Sequence, residues 1–112
     1  MRLVYVAGKF SAPTRAEVEV NIAAAVCVAL EVARIGLMPV CPHSNTQHEE
    51  FERVQPYPFW IEGTLELLRR CDAVITVSGW EASKGACRER AEANRLGIPV
   101  FDTIEELGAW VP

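Results

Sequence analysis

The chain has 112 residues, half of them hydrophobic, and a formal net charge of −4. That length and apolar share suit one domain over 1–112 with a core that needs no staples. Its basic residues are scattered, which argues against the clustered basic face of a nucleic-acid binder and fits a soluble protein that handles small molecules.

The amino terminus opens with "RLVYVAG", a run of β-favouring residues closed by Gly8. The apolar part of that terminus is too short for a signal peptide. A long helix is expected over about Thr14–Ile35, with Thr14 as cap, Glu17 at capping-box spacing and Gly36 as the stop. Its apolar stretch contains Glu31 and is shorter than a membrane span, so it reads as a core helix. "LMPVCP" reads as a second strand, and Pro39 makes it an edge one. A long polar loop, "HSNTQHEEFERVQPYP", follows; loops of that length are often functional. A helix is expected over about Pro58–Cys71. "AVITVS" has no polar alternation, as suits a buried parallel strand. A helix over about Ser83–Leu96, stopped by Gly97, then "IPVF" and a short helix capped by Thr103 complete the chain.

Strand and helix thus alternate four times. This order predicts a three-layer α/β/α domain with a small parallel sheet, Rossmann- or flavodoxin-like, with right-handed crossovers. In such sheets ligands bind beyond the carboxyl ends of the strands. The loops that leave those ends are "GKFSAPT", "PHSNTQHEE" and "SGWEASKGA". Cys27, Cys41, Cys71 and Cys87 form no CxxC pair and read as free thiols in a reduced, cytoplasmic setting. Cys41, His43 and His48 match no zinc spacing, so neither a metal nor a cofactor is expected.

On the helix 83–97, Ala86, Glu89, Ala93 and Leu96 share one side, and Arg88, Glu92 and Arg95 share the opposite, solvent side. Glu89 therefore sits in the apolar stripe. One turn away it meets Gly85, Ala86, Glu92 and Ala93, none of them a cation. A carboxylate on an inner helix edge costs several kcal/mol unpaired, or shifts its pKa. Either it pairs across the core with a distant cation such as Lys9 or Arg15, or it serves a ligand.

Three stretches, "VYVAG", "RRCDAVITVSGW" and "SKGACRERAEA", together resemble the nucleoside 2-deoxyribosyltransferase-like superfamily, in particular its short bacterial and phage members of the type labelled DUF4406. The informative run is D-x-V-x-x-x-x-G-W-x-x-S-x-G-A-x-x-E-x-x-x-A, from Asp72 to Ala93. The resemblance implies a nucleoside deoxyribosyltransferase-like fold. It implies that Glu89, after Gly85, is the nucleophile, that Ser83 contacts substrate and that Tyr5 sits beside the nucleophile. It also implies that Gly8, Lys9 and Phe10 line the sugar site. Where the superfamily commonly carries an Asp eight residues before the Asp72 position, this chain has Thr64, and Glu62 lies two residues away.

The activity so implied is cleavage or transfer at the N-glycosidic bond of a nucleoside or nucleoside 5′-monophosphate. The carboxylate attacks the anomeric carbon, and a second group protonates the leaving base. Glu62, His43 and a ligand phosphate are candidate proton donors. Ser83 and the N–H groups of Gly85 and Ala86 would suit a phosphate, and Trp80 or Phe10 a base. The alternative is a catalytically weak nucleotide-binding module. A flavodoxin- or receiver-like domain fits less well: the loop after the first strand lacks a Ser/Thr-rich phosphate cradle and an acidic pair. No nucleic-acid or membrane partner is expected. A homo-oligomer is, through the long helix and the carboxyl terminus "LGAWVP" with Trp110.

Overall fold

The computed structural model describes residues 1–111. Its sheet has four strands, all parallel, in the order β2-β1-β3-β4. They are β1 (Leu3–Ala7), β2 (Met38–Val40), β3 (Ala73–Thr76) and β4 (Val100–Phe101). β1 and β3 pair in the centre, with Val4 opposite Ala73 and Ala7 opposite Thr76. All of β3 is buried, which explains its apolar run Ala73–Ile75: a strand covered on both faces has no polar side to show, and the closing Thr76 donates its hydroxyl to Asp102 at 2.7 Å.

The helices are α1 (Arg15–Arg34), α2 (Pro42–Asn45), α3 (Glu50–Val54), α4 (Tyr57–Arg69), α5 (Lys84–Leu96) and α6 (Ile104–Trp110). Thr14 caps α1 by accepting the Glu17 N–H at 3.2 Å, and Gly36 takes the left-handed φ of 86° that ends it. α1 and α6 cover one face of the sheet over Val4, Val6 and Ile75; α4 and α5 cover the other over Tyr5, Ala7 and Val74. The period-two alternation of β1 divides its side chains between these two cores. The three-layer α/β/α arrangement read from the sequence is therefore present.

The segment expected to be one polar loop contains α2 and α3, followed at once by α4. A 3-10 turn, Trp80–Ala82, lies between β3 and α5. The helical-wheel reading of α5 needs two corrections. Leu96 is 42% exposed. The Glu92 side chain is only 13% exposed, because α4 packs beside α5 and places Arg69 over it at 2.8 Å. A wheel shows which residues share a side, not how many neighbours cover the helix. Among the described residues no helix is long and apolar enough to cross a membrane, and the four cysteines are free.

Candidate functional site

Strand order reverses at β1 and β3, which send their chains to opposite faces of the sheet. A cavity of about 770 Å³ opens above their carboxyl ends, where α/β sheets bind ligands. The β1 loop lines it with Gly8, Lys9 and Phe10, α2 with His43, and the start of α5 with Ser83, Lys84, Gly85, Arg88 and Glu89. α3 and α4 supply the remaining wall, including Phe51, Glu52, Tyr57, Trp60 and Thr64.

Glu89 is the centre of this arrangement. Tyr5, fully buried on β1, points to the α4–α5 face and donates its hydroxyl hydrogen to a Glu89 carboxylate oxygen. Burial pushes the Glu89 carboxyl up to about 7, although the Tyr5 hydrogen bond and the Arg88 charge both pull it down. Tyr5 itself is raised well above its ordinary value, first by burial and then by the Glu89 charge. The Tyr hydroxyl therefore stays a donor and the carboxylate the acceptor. Among the described residues no Lys or Arg forms an ion pair with Glu89: Arg15 pairs with Glu19 and Glu49, and Arg90 with Asp102. The distant-cation alternative is not what the chain adopts.

Thr64 lies beside the Tyr5 hydroxyl and faces the cavity, while its own hydroxyl donates to the Ile61 carbonyl at 3.1 Å. Glu62 is outside the site. Two residues along α4 is more than half a turn, so Glu62 projects into solvent, 3.3 Å from Arg69. It cannot reach a substrate in this cavity without a shift in helix register.

His43 is 5% exposed. It donates through Nε2 to the Lys9 carbonyl at 3.0 Å and meets the Phe10 ring edge-on, so it holds the β1 loop in place. Its Nδ1 finds no partner among the described residues, and burial lowers its pKa. The Nε2 proton is thus engaged by the Lys9 carbonyl and not offered to the cavity. His48 accepts the Glu50 N–H at 3.1 Å, apart from His43.

Ser83 lines the cavity, but its Oγ caps α5 by accepting the Ala86 N–H at 3.1 Å. Ala86 is buried under the helix, and its amide is taken by that cap. It does not belong among the ligand contacts. Trp80 is also outside the cavity. Its ring lies 4.4 Å beneath the Arg90 guanidinium, and Arg90 in turn pairs with Asp102 beyond β4. The two glycines differ in kind. A Cβ on Gly8 would come within 2.8 Å of Val77, so close packing of β1 on β3 requires glycine there. A Cβ on Gly85 would meet only Ser83 Oγ, at 3.8 Å; packing does not require that glycine, and it faces the cavity.

The sequence reading missed Tyr57 and Trp60. The signal was present: Tyr57, Trp60, Ile61, Thr64 and Leu65 repeat at i, i+3, i+4, i+7 and i+8, one face of a helix. It also missed Lys84 and Arg88, an i, i+4 pair one residue over from Gly85 and Glu89.

Four parallel strands with helices on both faces make this an α/β protein of Rossmann- or flavodoxin-like fold. More narrowly, residues 2–102 match the model of the family described as a domain of unknown function, DUF4406, and the chain belongs to that family. Among curated proteins none matches it.

Proposed function

We propose that the chain cleaves or transfers the N-glycosidic bond of a (deoxy)nucleoside or its 5′-monophosphate, as members of the nucleoside 2-deoxyribosyltransferase-like superfamily do. One observation carries the reading. Glu89 lies on a cavity wall above the sheet, pushed up to about 7 by burial, held by a buried Tyr and paired with no cation among the described residues. A structural carboxylate in that position would be expected to have a guanidinium or ammonium partner.

In this reaction a Glu89 oxygen bonds to the anomeric carbon as the bond to the base nitrogen breaks, and the electron pair leaves with the base. Glu62 and His43 are committed elsewhere, so the base takes its proton from a water at the cavity mouth. The hydroxide left behind cleaves the glycosyl ester, or takes the proton of a second base whose nitrogen accepts the sugar. Tyr5 orients the carboxylate. The outward stripe of α1, with Val20 and Leu30 exposed, supports assembly into a homo-oligomer.

Chromatography of free base after incubation with deoxynucleosides and their monophosphates is the test. Wild type should release base, and Glu89→Gln should release none while keeping its affinity for nucleotide. The second reading, a nucleotide-binding module, is favoured by Thr64, which puts a hydroxyl where the superfamily commonly has a carboxylate. Tight binding with no base released from any common nucleotide would select it.

A further inference from the structure

The α4 side and the α5 side of the cavity differ in chemistry. On the α4 side, Tyr57 and Trp60 stand on one helical face with Phe51 of α3 beside them. Trp60 is fixed: its Nε1–H donates to the Gln55 carbonyl at 3.1 Å, and Phe51 and Phe59 wedge it edge-on with centroids at 5.6 and 4.9 Å. Tyr57 is 61% exposed although it lines a cavity. On the α5 side, Lys84 and Arg88 form one helical row beside the Gly85–Glu89 row. Neither makes an ion pair among the described residues. Glu89 lies where the two sides meet, because Tyr5 reaches both Thr64 of α4 and Glu89 of α5.

We propose that the α3–α4 wall is the base-recognition surface, with Tyr57 and Trp60 taking the flat face of a nucleobase, and that Lys84 and Arg88 hold the phosphate at the other end of a nucleoside 5′-monophosphate. The choice of ligand rests on the function proposed above. The assignment itself rests on the two-sided cavity. Rigid aromatic side chains bind a planar apolar face at small entropic cost. Two unpaired cations in an acidic protein favour an anion. The ligand that satisfies both sides and brings an anomeric carbon to their junction is a nucleotide, with its base on α4, its phosphate on α5 and its sugar between them.

Calorimetric titration of Glu89→Gln protein, chosen because the proposed mechanism leaves it able to bind without turnover, tests this. The probes are the four deoxynucleoside 5′-monophosphates, the four deoxynucleosides and 2-deoxyribose 5-phosphate. The monophosphates should bind most tightly, with the sugar phosphate weaker by about tenfold or more, the loss expected when one stacked base is removed. Adding Tyr57→Ala or Trp60→Leu should weaken the monophosphates towards the sugar phosphate and leave the sugar phosphate itself unchanged. Adding Lys84→Ala or Arg88→Ala should weaken both phosphorylated probes and leave the nucleosides unchanged. Tyr57 is exposed, so its truncation spares the core, and circular dichroism verifies the fold of each variant. Equal binding of monophosphate and sugar phosphate, monophosphate affinity insensitive to both aromatic variants, or no binding of any probe overturns the assignment. Base release by wild type is scored separately. Binding in the expected pattern without release upholds the subsites and rejects the glycosidase. Release that is insensitive to Tyr57 and Trp60 does the reverse.

Discussion

At the scale of single residues, the Tyr5–Glu89 pair gives stability and the proposed activity opposite dependences on pH. The Glu89 carboxyl lies at about 7 in the folded chain against an ordinary 4.5, so between those values the native state holds a proton that the unfolded chain has lost. Stability therefore falls as pH rises through that window, by about 3 kcal/mol, and levels off above it. Glu89→Gln removes that slope. Its melting temperature should exceed that of wild type at pH 8, and the gap should close towards pH 4. For the proposed glycosidic activity the trend is the opposite, because only the ionised carboxylate would attack: kcat/KM should rise with pH to a plateau above about 7. Tyr5→Phe deletes a donor that favours the carboxylate, so the acid limb should move up by about one pH unit, with lower kcat, in a pH–rate profile. Gly8 presents a steric case. Gly8→Ala drives a methyl into Val77 and should cost about 1–3 kcal/mol in denaturant unfolding.

At the scale of elements, the sequence was most legible where burial is most complete. β1 and β3 are covered on both faces, so their apolar runs and closing residues mark them plainly. α1 and α5 carry a capping Thr or Ser and a stopping Gly. The stretch between β2 and α4 was illegible for physical reasons. α2 has four residues and α3 five, neither has a side-chain cap, and no residue of α3 is buried. Periodicity has too little length to act on there. Glu62 and Trp80 show a different failure: sequence gives distance along a helix or loop but not which neighbour claims a side chain, and Arg69 and Arg90 claimed these two. Ser83 was expected to touch substrate and is found capping α5. Ser83→Ala should therefore destabilise the chain by about 1 kcal/mol by thermal melting, whatever it does to binding.

At the scale of the whole molecule, the sheet order puts the site at the central crevice and leaves the outer faces of the helices for other uses. Val20, Ala23, Ala24, Cys27 and Leu30 of α1 form an exposed small and apolar stripe opposite the buried one of Ile22, Ala25, Ala29 and Val32. Trp110 packs within the chain, against Phe101 and beneath Arg2, and is half-buried there. Pro112 of the expected carboxyl-terminal contact lies outside the described residues. Assembly through α1 predicts that Leu30→Glu sediments as a lighter species than wild type in velocity centrifugation.

The short outer strand beside β1 has one more effect. The Met38 N–H donates to the Arg2 carbonyl at 3.1 Å, so Met38 and Val40 turn their amides inward and Pro39, between them, faces out. A proline there gives up no bond of the native ladder, and the rim is left without a hydrogen to offer at that point. A stray extended peptide seeking to add itself would find no donor in the middle of a three-residue rim. The chain is thereby guarded against fibril-like stacking at the flank where a small parallel sheet is most open to it.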